Sequence, residues 1–215
     1  VKILLACECS GIVREAFRSR GHDAVSADLE TTEIAGPHVI GDVTPLLRER
    51  WDMVIAFPPC TYLSYAGTAH WNAPGRAEKR REAMAFFMEC YRANAPKVCV
   101  ENPFGLPANE FRSPDQIVNP FDFGEAIRKR TCFWLRGLPR LFRADEIFAV
   151  AGTSGPLPPP PPVYVSARVA TGKPKARHWT EGMSRSKDRR RERSRTFQSI
   201  ADAMANQWGN STEAT

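Results

Sequence analysis

The chain reads as an α/β protein, a doubly wound, mostly parallel Rossmann-like sheet with helices on both faces. Three observations lead there. Strand-like apolar runs alternate with helix-like runs through the first 140 residues. The intervals are long enough for right-handed βαβ crossovers. The unusual polar residues gather where the apolar runs end, the edge at which such sheets bind ligands.

The elements follow in order. "KILLAC" is a first strand, and the amphipathic "GIVREAFRSRGH" is a helix closed by its glycine before the strand "DAVSADL". "HVIGDV" is a further short strand and "WDMVIAFPP" a clear one. "RAEKRREAMAFFMECYRANAP" is a long helix with Ala83, Phe86, Phe87, Cys90 and Tyr91 on or near one face. "KVCVENP" is an apolar strand ending in a polar pair, and "TCFWLRGLP" is strand-like too. After Phe142 the character changes. "AGTSGPLPPPPPVYV" suits an extended polyproline spacer. The final "SRTFQSIADAMANQWG" returns to helical period through Ile200, Ala203, Met204 and Gln207, with Ser194 or Thr196 able to cap it. The tail "NSTEAT" looks frayed.

Composition narrows the function. No apolar run approaches the roughly 18 residues of a membrane span, and the opening residues read as a strand rather than a secretory signal. A cytoplasmic location is expected. The six cysteines form no CxxC pair, which argues against a zinc knuckle or a disulfide framework; "CEC" has no companion cluster, so no metal is expected. The net charge of +6 is concentrated: residues 168–195 hold eleven Lys or Arg against three acids, and the rest of the chain is slightly acidic. Such a segment suits a polyanion such as nucleic acid.

Cys60 stands on the turn after a central strand, behind two φ-restricted prolines, aimed at the ligand edge. It is the nucleophile candidate. If "WDMVIAF" and "KVCV" are neighbours, Glu101 emerges beside it, a carboxyl able to share a proton with a substrate.

These residues carry a resemblance. "DMVIAFPPCTYLSYAG" and "VCVENPFGL" resemble the proline-cysteine and Glu-Asn-Val motifs of the DNA cytosine 5-methyltransferases, in the family's order and separation. "LLACECSGIVREAFRSRGHDAVSADLE" is similar to the first cofactor motif and the acid ending the second strand, "GDV" to the third motif, "AIRKRTCFWL" to the Gln-x-Arg-x-Arg element and "SRTFQSIADAMANQWG" to the last motif. The short form is similar to bacteriophage-encoded members. The resemblance implies a catalytic domain of residues 1–142 plus 194–209 with the S-adenosylmethionine-dependent methyltransferase fold, and a Pro-rich, basic insertion, 143–193, in place of a target-recognition domain.

It also implies roles. Cys60 would add to carbon 6 of cytosine while Glu101 engages ring nitrogen 3, and Asn102 would hold the loop. Ser64 would contact the backbone beside the flipped nucleotide. Arg128 and Arg130, with Lys129, would cradle the pyrimidine. S-adenosylmethionine would lie along Cys7, Glu8, Cys9, Ser10 and Gly11, with Asp28 on its ribose, Leu29 beside it, Asp42 on its adenine, and Pro58 and Thr196 completing the site. The partner would be DNA, as a duplex with a flipped cytosine or as a single strand. Residues 61–81 would close over it.

The departures are specific. The family's glycine-rich loop keeps only Gly11, so Glu8 either blocks the cofactor or offers it a carboxylate for the methionine ammonium. In "AIRKRT" the family's glutamine is Ala126, and Lys129 with Thr131 could serve in a shifted register. A short insertion rich in arginine implies phosphate contacts and little sequence preference. Two alternatives stay open: a related carbon-5 modification with another donor or acceptor, and a nucleic-acid-binding protein that has lost the chemistry.

Overall fold

The computed structural model describes residues 1–65, 72–125, 127–143, 146 and 195–210, together with the backbone of 165–166 and 175–176. Its strands are β1 (Lys2–Ala6), β2 (Asp23–Asp28), β3 (His38–Ile40), β4 (Met53–Ala56), β5 (Lys97–Asn102), β6 (Gln116–Val118) and β7 (Thr131–Arg136). They form one sheet in the order β3-β2-β1-β4-β5-β7-β6. The first five strands are parallel; β7 runs antiparallel to both of its neighbours. The sheet is therefore the expected mostly parallel, doubly wound, Rossmann-like one. β8 (Val165–Ser166) and β9 (Lys175–Ala176) pair with each other alone. The remainder of the Pro-rich and basic stretch, including Arg189, Arg190 and Arg191, lies outside the described residues.

Why the strands read as apolar runs is plain from their two faces. Ile3, Leu5, Met53, Ile55 and Cys99 belong to one core, which also holds Val13 and Phe17 of α1 (Ile12–Arg18) and Met204 and Trp208 of α5 (Gln198–Gly209). Their alternates Leu4, Ala6, Val54, Ala56, Val98 and Val100 belong to the other, with Leu47 of α2 (Thr44–Arg48), Phe87 and Cys90 of α3 (Arg76–Tyr91) and Leu106 of α4 (Leu106–Glu110). A strand covered on both faces needs apolar residues at every position. Among the described residues no helix is long and apolar enough to cross a membrane.

Two local expectations are met and one is corrected. Gly21, at φ 83, follows α1, and its N–H bonds to the Arg18 carbonyl at 2.9 Å. The long helix buries Phe87 and Cys90 as its pattern required. Thr196, however, does not cap α5: the N-cap position is Phe197, without a side-chain cap, and the first-turn N–H of Ser199 goes to Glu125 at 2.8 Å. Ser194 lies outside the described residues. The helix end is satisfied by a carboxylate about seventy residues away in sequence, which also suits the positive end of the helix dipole.

The topology fixes where function can sit. β1, β2, β4 and β5 all end at one edge, and the chain reverses its direction of winding between β1 and β4. Because β7 is antiparallel, with Cys132 opposite Asn102, its amino end arrives at that same edge. The last helix completes the layer over α1. Its Trp208 is fully buried, lies edge-on to Phe133 at 6.1 Å and donates its indole N–H to the Pro139 carbonyl at 2.9 Å. Replacing Trp208 with Ala should cost about 3–5 kcal/mol, read as a lower midpoint in denaturant; an unchanged midpoint would mean that α5 is not part of the cooperative unit.

Candidate active site

The acidic half of the edge forms around the end of β1. Cys7 has φ 59, the one non-glycine residue with positive φ among those described, and Gly11, at φ 78, opens α1. A side chain at Gly11 would strike Arg14 and Ile34 within 3 Å, so this glycine is required by close packing as well as by its backbone. Glu8 is only 4% exposed. One of its carboxylate oxygens accepts from the Ser10 hydroxyl. Its Oε2 is buried and has no hydrogen-bond partner among the described residues. Burial raises the Glu8 carboxyl above its usual range, against the lowering effects of Ser10, Gly11, Arg14 and His38.

Beneath this loop lies a residue whose role was not legible in the sequence. Arg14 is fully buried. Its guanidinium donates to Ser26 Oγ at 2.8 Å and Thr32 Oγ1 at 3.1 Å, to the Ile34 carbonyl and to Glu15 at 2.8 Å. Ser26 Oγ also meets His38 Nδ1 at 2.8 Å, and His38 Nε2 meets the Glu30 carbonyl at 2.9 Å. A carbonyl can only accept, so Nε2 carries a proton. This network fixes the chain after β2. There Asp28 accepts from the Glu30 N–H at 3.0 Å, and Leu29 stands 76% exposed.

Asp28 and Asp42 both act on Cys7. Burial first, then these two carboxylates, push its thiol up to about 12. Cys9 is pushed up to about 11 by burial, then by Asp28, Glu30, Glu33 and Glu8. The sequence-predicted cofactor residues Cys7 to Gly11, Asp28, Leu29 and Asp42 are thus gathered into one acidic lip. Asp42 also holds the start of α2, accepting from the Thr44 N–H at 3.0 Å. The Thr44 amide and hydroxyl keep its carboxyl below the usual range. A lip of carboxylates beside an exposed leucine suits a ligand with hydroxyls, positive charge and an apolar ring better than a diphosphate.

The other half of the edge belongs to β4 and β5, which are indeed neighbours, Ala56 beside Val100. Past β4, Pro58 is buried and Cys60 is exposed, opening a short 3-10 turn, Cys60–Tyr62. Asn102, fully buried at the end of β5, donates from Nδ2 to the Pro58 carbonyl at 2.8 Å. The Cys60 carbonyl accepts from Leu63 and Ser64 at 3.1 and 2.9 Å. Leu63 in turn accepts from Leu106 at 2.8 Å, and a Cβ on Gly105 would lie 2.0 Å from that same Leu63 oxygen. The cysteine turn is clamped between the ends of two strands and the segment that follows β5.

Glu101 accepts from Thr131 Oγ1 at 2.6 Å. It lines a narrow recess with Lys129, Thr131 and Thr196. Lys129 donates to the Arg195 carbonyl at 3.0 Å. Arg128 and Arg130, expected with Glu101, are not in this recess. Both are exposed, Arg128 stacked over Phe121 at 5.3 Å and Arg130 over Phe104 at 5.7 Å. Successive residues of an extended chain face opposite ways, so Glu101 takes the Lys129 and Thr131 register and the arginines point elsewhere. Ala126 and residues 66–71 of the expected mobile loop lie outside the described residues. Among the described residues no cluster of three His, Cys, Asp or Glu could hold a metal ion.

No protein-family model matches the chain, and no curated protein does. Several solved structures resemble it in fold, among them two described as methyltransferases. One is a prophage-encoded E. coli protein described as a DNA modification methyltransferase, at 15% identity and TM-score 0.44, covering 63% of this chain and 46% of that one. The other is the Entamoeba histolytica methyltransferase EhMeth, at 13% identity and TM-score 0.43, covering 68% and 57%. The chain spans about half the length of each.

Cysteine chemistry separates the six thiols. Cys60 is the one exposed cysteine. Burial leads the causes that raise all the others, Cys7 to about 12, Cys9 and Cys132 to about 11, and Cys90 and Cys99 well above the ordinary thiol value. A thiol raised in this way stays protonated and unreactive until the pH approaches its pKa. Brief iodoacetamide treatment at pH 8 should therefore label Cys60 alone, as read by peptide mass mapping; equal labelling of Cys9 or Cys132 would contradict this ordering.

Proposed function

We propose that this chain transfers a methyl group from S-adenosylmethionine to carbon 5 of cytosine in DNA. The observation that carries the reading is the clamped turn: an exposed Cys60 after β4, tied through Pro58 to Asn102, the residue next to Glu101 on the adjoining strand. Cytosine carbon 5 is a poor nucleophile. Attack of the Cys60 thiolate forms a sulfur–carbon 6 bond, and Glu101 places a proton on ring nitrogen 3 as the ring takes up the electron pair. Carbon 5 then has enamine character and can accept a methyl group. Loss of the carbon 5 proton to solvent returns the electron pair and breaks the sulfur–carbon bond, which frees the Cys60 thiolate, while ring nitrogen 3 gives its proton back to Glu101.

Thr131 occupies one Glu101 oxygen and orients the carboxyl, leaving the other for the base. In this reading Lys129 helps to hold the pyrimidine from the same side, and Asn102 keeps the cysteine turn in place. The target must be unstacked, by flipping from a duplex or as a single strand. When bound, S-adenosylmethionine supplies an electrophilic methyl on a sulfonium. Asp28 would take its ribose hydroxyls, Leu29 and Asp42 its adenine, and the Cys7–Gly11 loop with Pro58 and Thr196 the remainder. The orphaned Glu8 oxygen supports the second of the two readings of that residue, a carboxylate for the methionine ammonium. Residues 143–193 are proposed to stand in for a target-recognition domain and to contribute phosphate contacts.

One observation favours a second reading, DNA binding without chemistry: the two positions of the loop that would be glycine before Gly11 are Glu8 and Ser10, and Cys7 beside them is held in a left-handed conformation. One experiment separates the two. Nucleosides from single- and double-stranded DNA incubated with the protein and S-adenosylmethionine are analysed by mass spectrometry. 5-Methylcytosine should form, vanish with Cys60→Ala and fall by about 10²-fold or more with Glu101→Gln. DNA that is bound but carries no modified base would overturn the first reading and support the second.

A further inference from the structure

Displaced from the Glu101 recess, Arg130 has a different partner. Its guanidinium lies 5.7 Å from the centroid of Phe104, a ring that stays 41% exposed. Tyr65 sits beside that ring at 6.3 Å and 59°, and its hydroxyl accepts from Asn109 at 2.6 Å. Phe104 follows Glu101, Asn102 and Pro103 directly. The residue after it is the close-packed Gly105, bridged to Ser64. Next comes Leu106, whose N–H bonds back to Leu63. The backbone carrying this ring is therefore fixed to the same turn that carries Cys60.

A second cation and ring pair flanks the turn: Arg76 and Lys79 lie over the Tyr62 ring at 5.1 and 5.7 Å. Both belong to the first turn of α3, where the helix dipole disfavours positive charge. Helix stability does not call for cations there. Flat π surfaces combined with cations are what unpaired nucleic acid binds, because every base has a face to stack and every nucleotide a phosphate.

We propose that the Phe104–Arg130 pair is a stacking platform for the nucleobase next to the target in DNA, holding that neighbour while the target base enters the Cys60 site. This rests on the reading of the chain as acting on DNA. Two flat groups at a fixed offset from the nucleophile would keep the neighbouring base from following the target out of the stack, or from collapsing into the space it leaves. Arg128, also exposed, adds positive charge for the intervening phosphates.

The test is fluorescence anisotropy with labelled single-stranded DNA containing one cytosine, its two neighbours either natural bases or, one at a time, abasic sites. S-adenosylmethionine is left out. For the unaltered protein an abasic site on one side should weaken binding about tenfold. Phe104→Ala should lose about the same factor on the natural strand and no longer distinguish the abasic one. Phe104→Leu, which keeps apolar bulk without a ring, should behave like Phe104→Ala, and Phe104→Trp should keep the discrimination. Equal binding of natural and abasic strands by the unaltered protein, discrimination persisting in Phe104→Ala, or no binding to any strand would each overturn the platform. Base-sensitive binding without any 5-methylcytosine would keep it and sink only the methyl-transfer reading. 5-Methylcytosine formation with binding indifferent to Phe104 would do the reverse.

Discussion

The hydrogen bond from Asn102 to the Pro58 carbonyl is the constraint on which the site depends. Two successive prolines give the cysteine turn a stiff backbone but remove two N–H donors, so the turn cannot be secured there by its own amides. The neighbouring strand supplies the donor instead, from a fully buried side chain. Losing it would leave a buried carbonyl unsatisfied, at a cost of about 1–3 kcal/mol. It would also free the turn from the strand carrying Glu101. The parallel pairing of β4 and β5, the close approach at Gly105 and the exposure of Cys60 all converge on this joint.

Charge is sorted along the same edge. Around β1 and β2 carboxylates gather at the Cys7–Gly11 loop, where the buried Arg14 ties the loop together and Arg195 pairs with Glu33. Around the cysteine turn and the approach to β7, Arg76, Lys79, Arg128 and Arg130 are stacked on rings. A small cationic ligand suits the first zone and a polyanion the second, with the thiol and Glu101 between them. The sorting arises from topology, since the antiparallel β7 returns residues 128–131 to the edge where the parallel strands end.

Much of this was legible in the sequence, and the exceptions have physical causes. Strands buried on both faces announce themselves as apolar runs, so the central strands and their polar ends could be placed directly. The antiparallel sense of "TCFWLR" could not, because a doubly buried strand has the same composition in either direction. β6 has three residues, too few for a pattern. Arg14 looked like any surface arginine of an amphipathic helix, and only the chain folding back after β2 buries it. Arg128 and Arg130 against Lys129 and Thr131 was a choice between two registers of an alternating segment; the fold sets Lys129 and Thr131 in the Glu101 recess and the two arginines over Phe121 and Phe104. The cap of α5 comes from Glu125, a long-range contact that no local motif encodes.

Cysteine attack at carbon 6 is tested most directly by trapping. A DNA oligonucleotide carrying 5-fluorocytosine at the target is incubated with the protein and S-adenosylmethionine, and the product is analysed by intact mass and peptide mapping. Fluorine cannot leave carbon 5 as the proton does, so elimination stops and the adduct persists. The expected product is protein plus oligonucleotide plus one methyl group, joined through the peptide bearing Cys60 and absent from Cys60→Ala. An adduct on another cysteine, or none while the oligonucleotide is bound, would contradict the account.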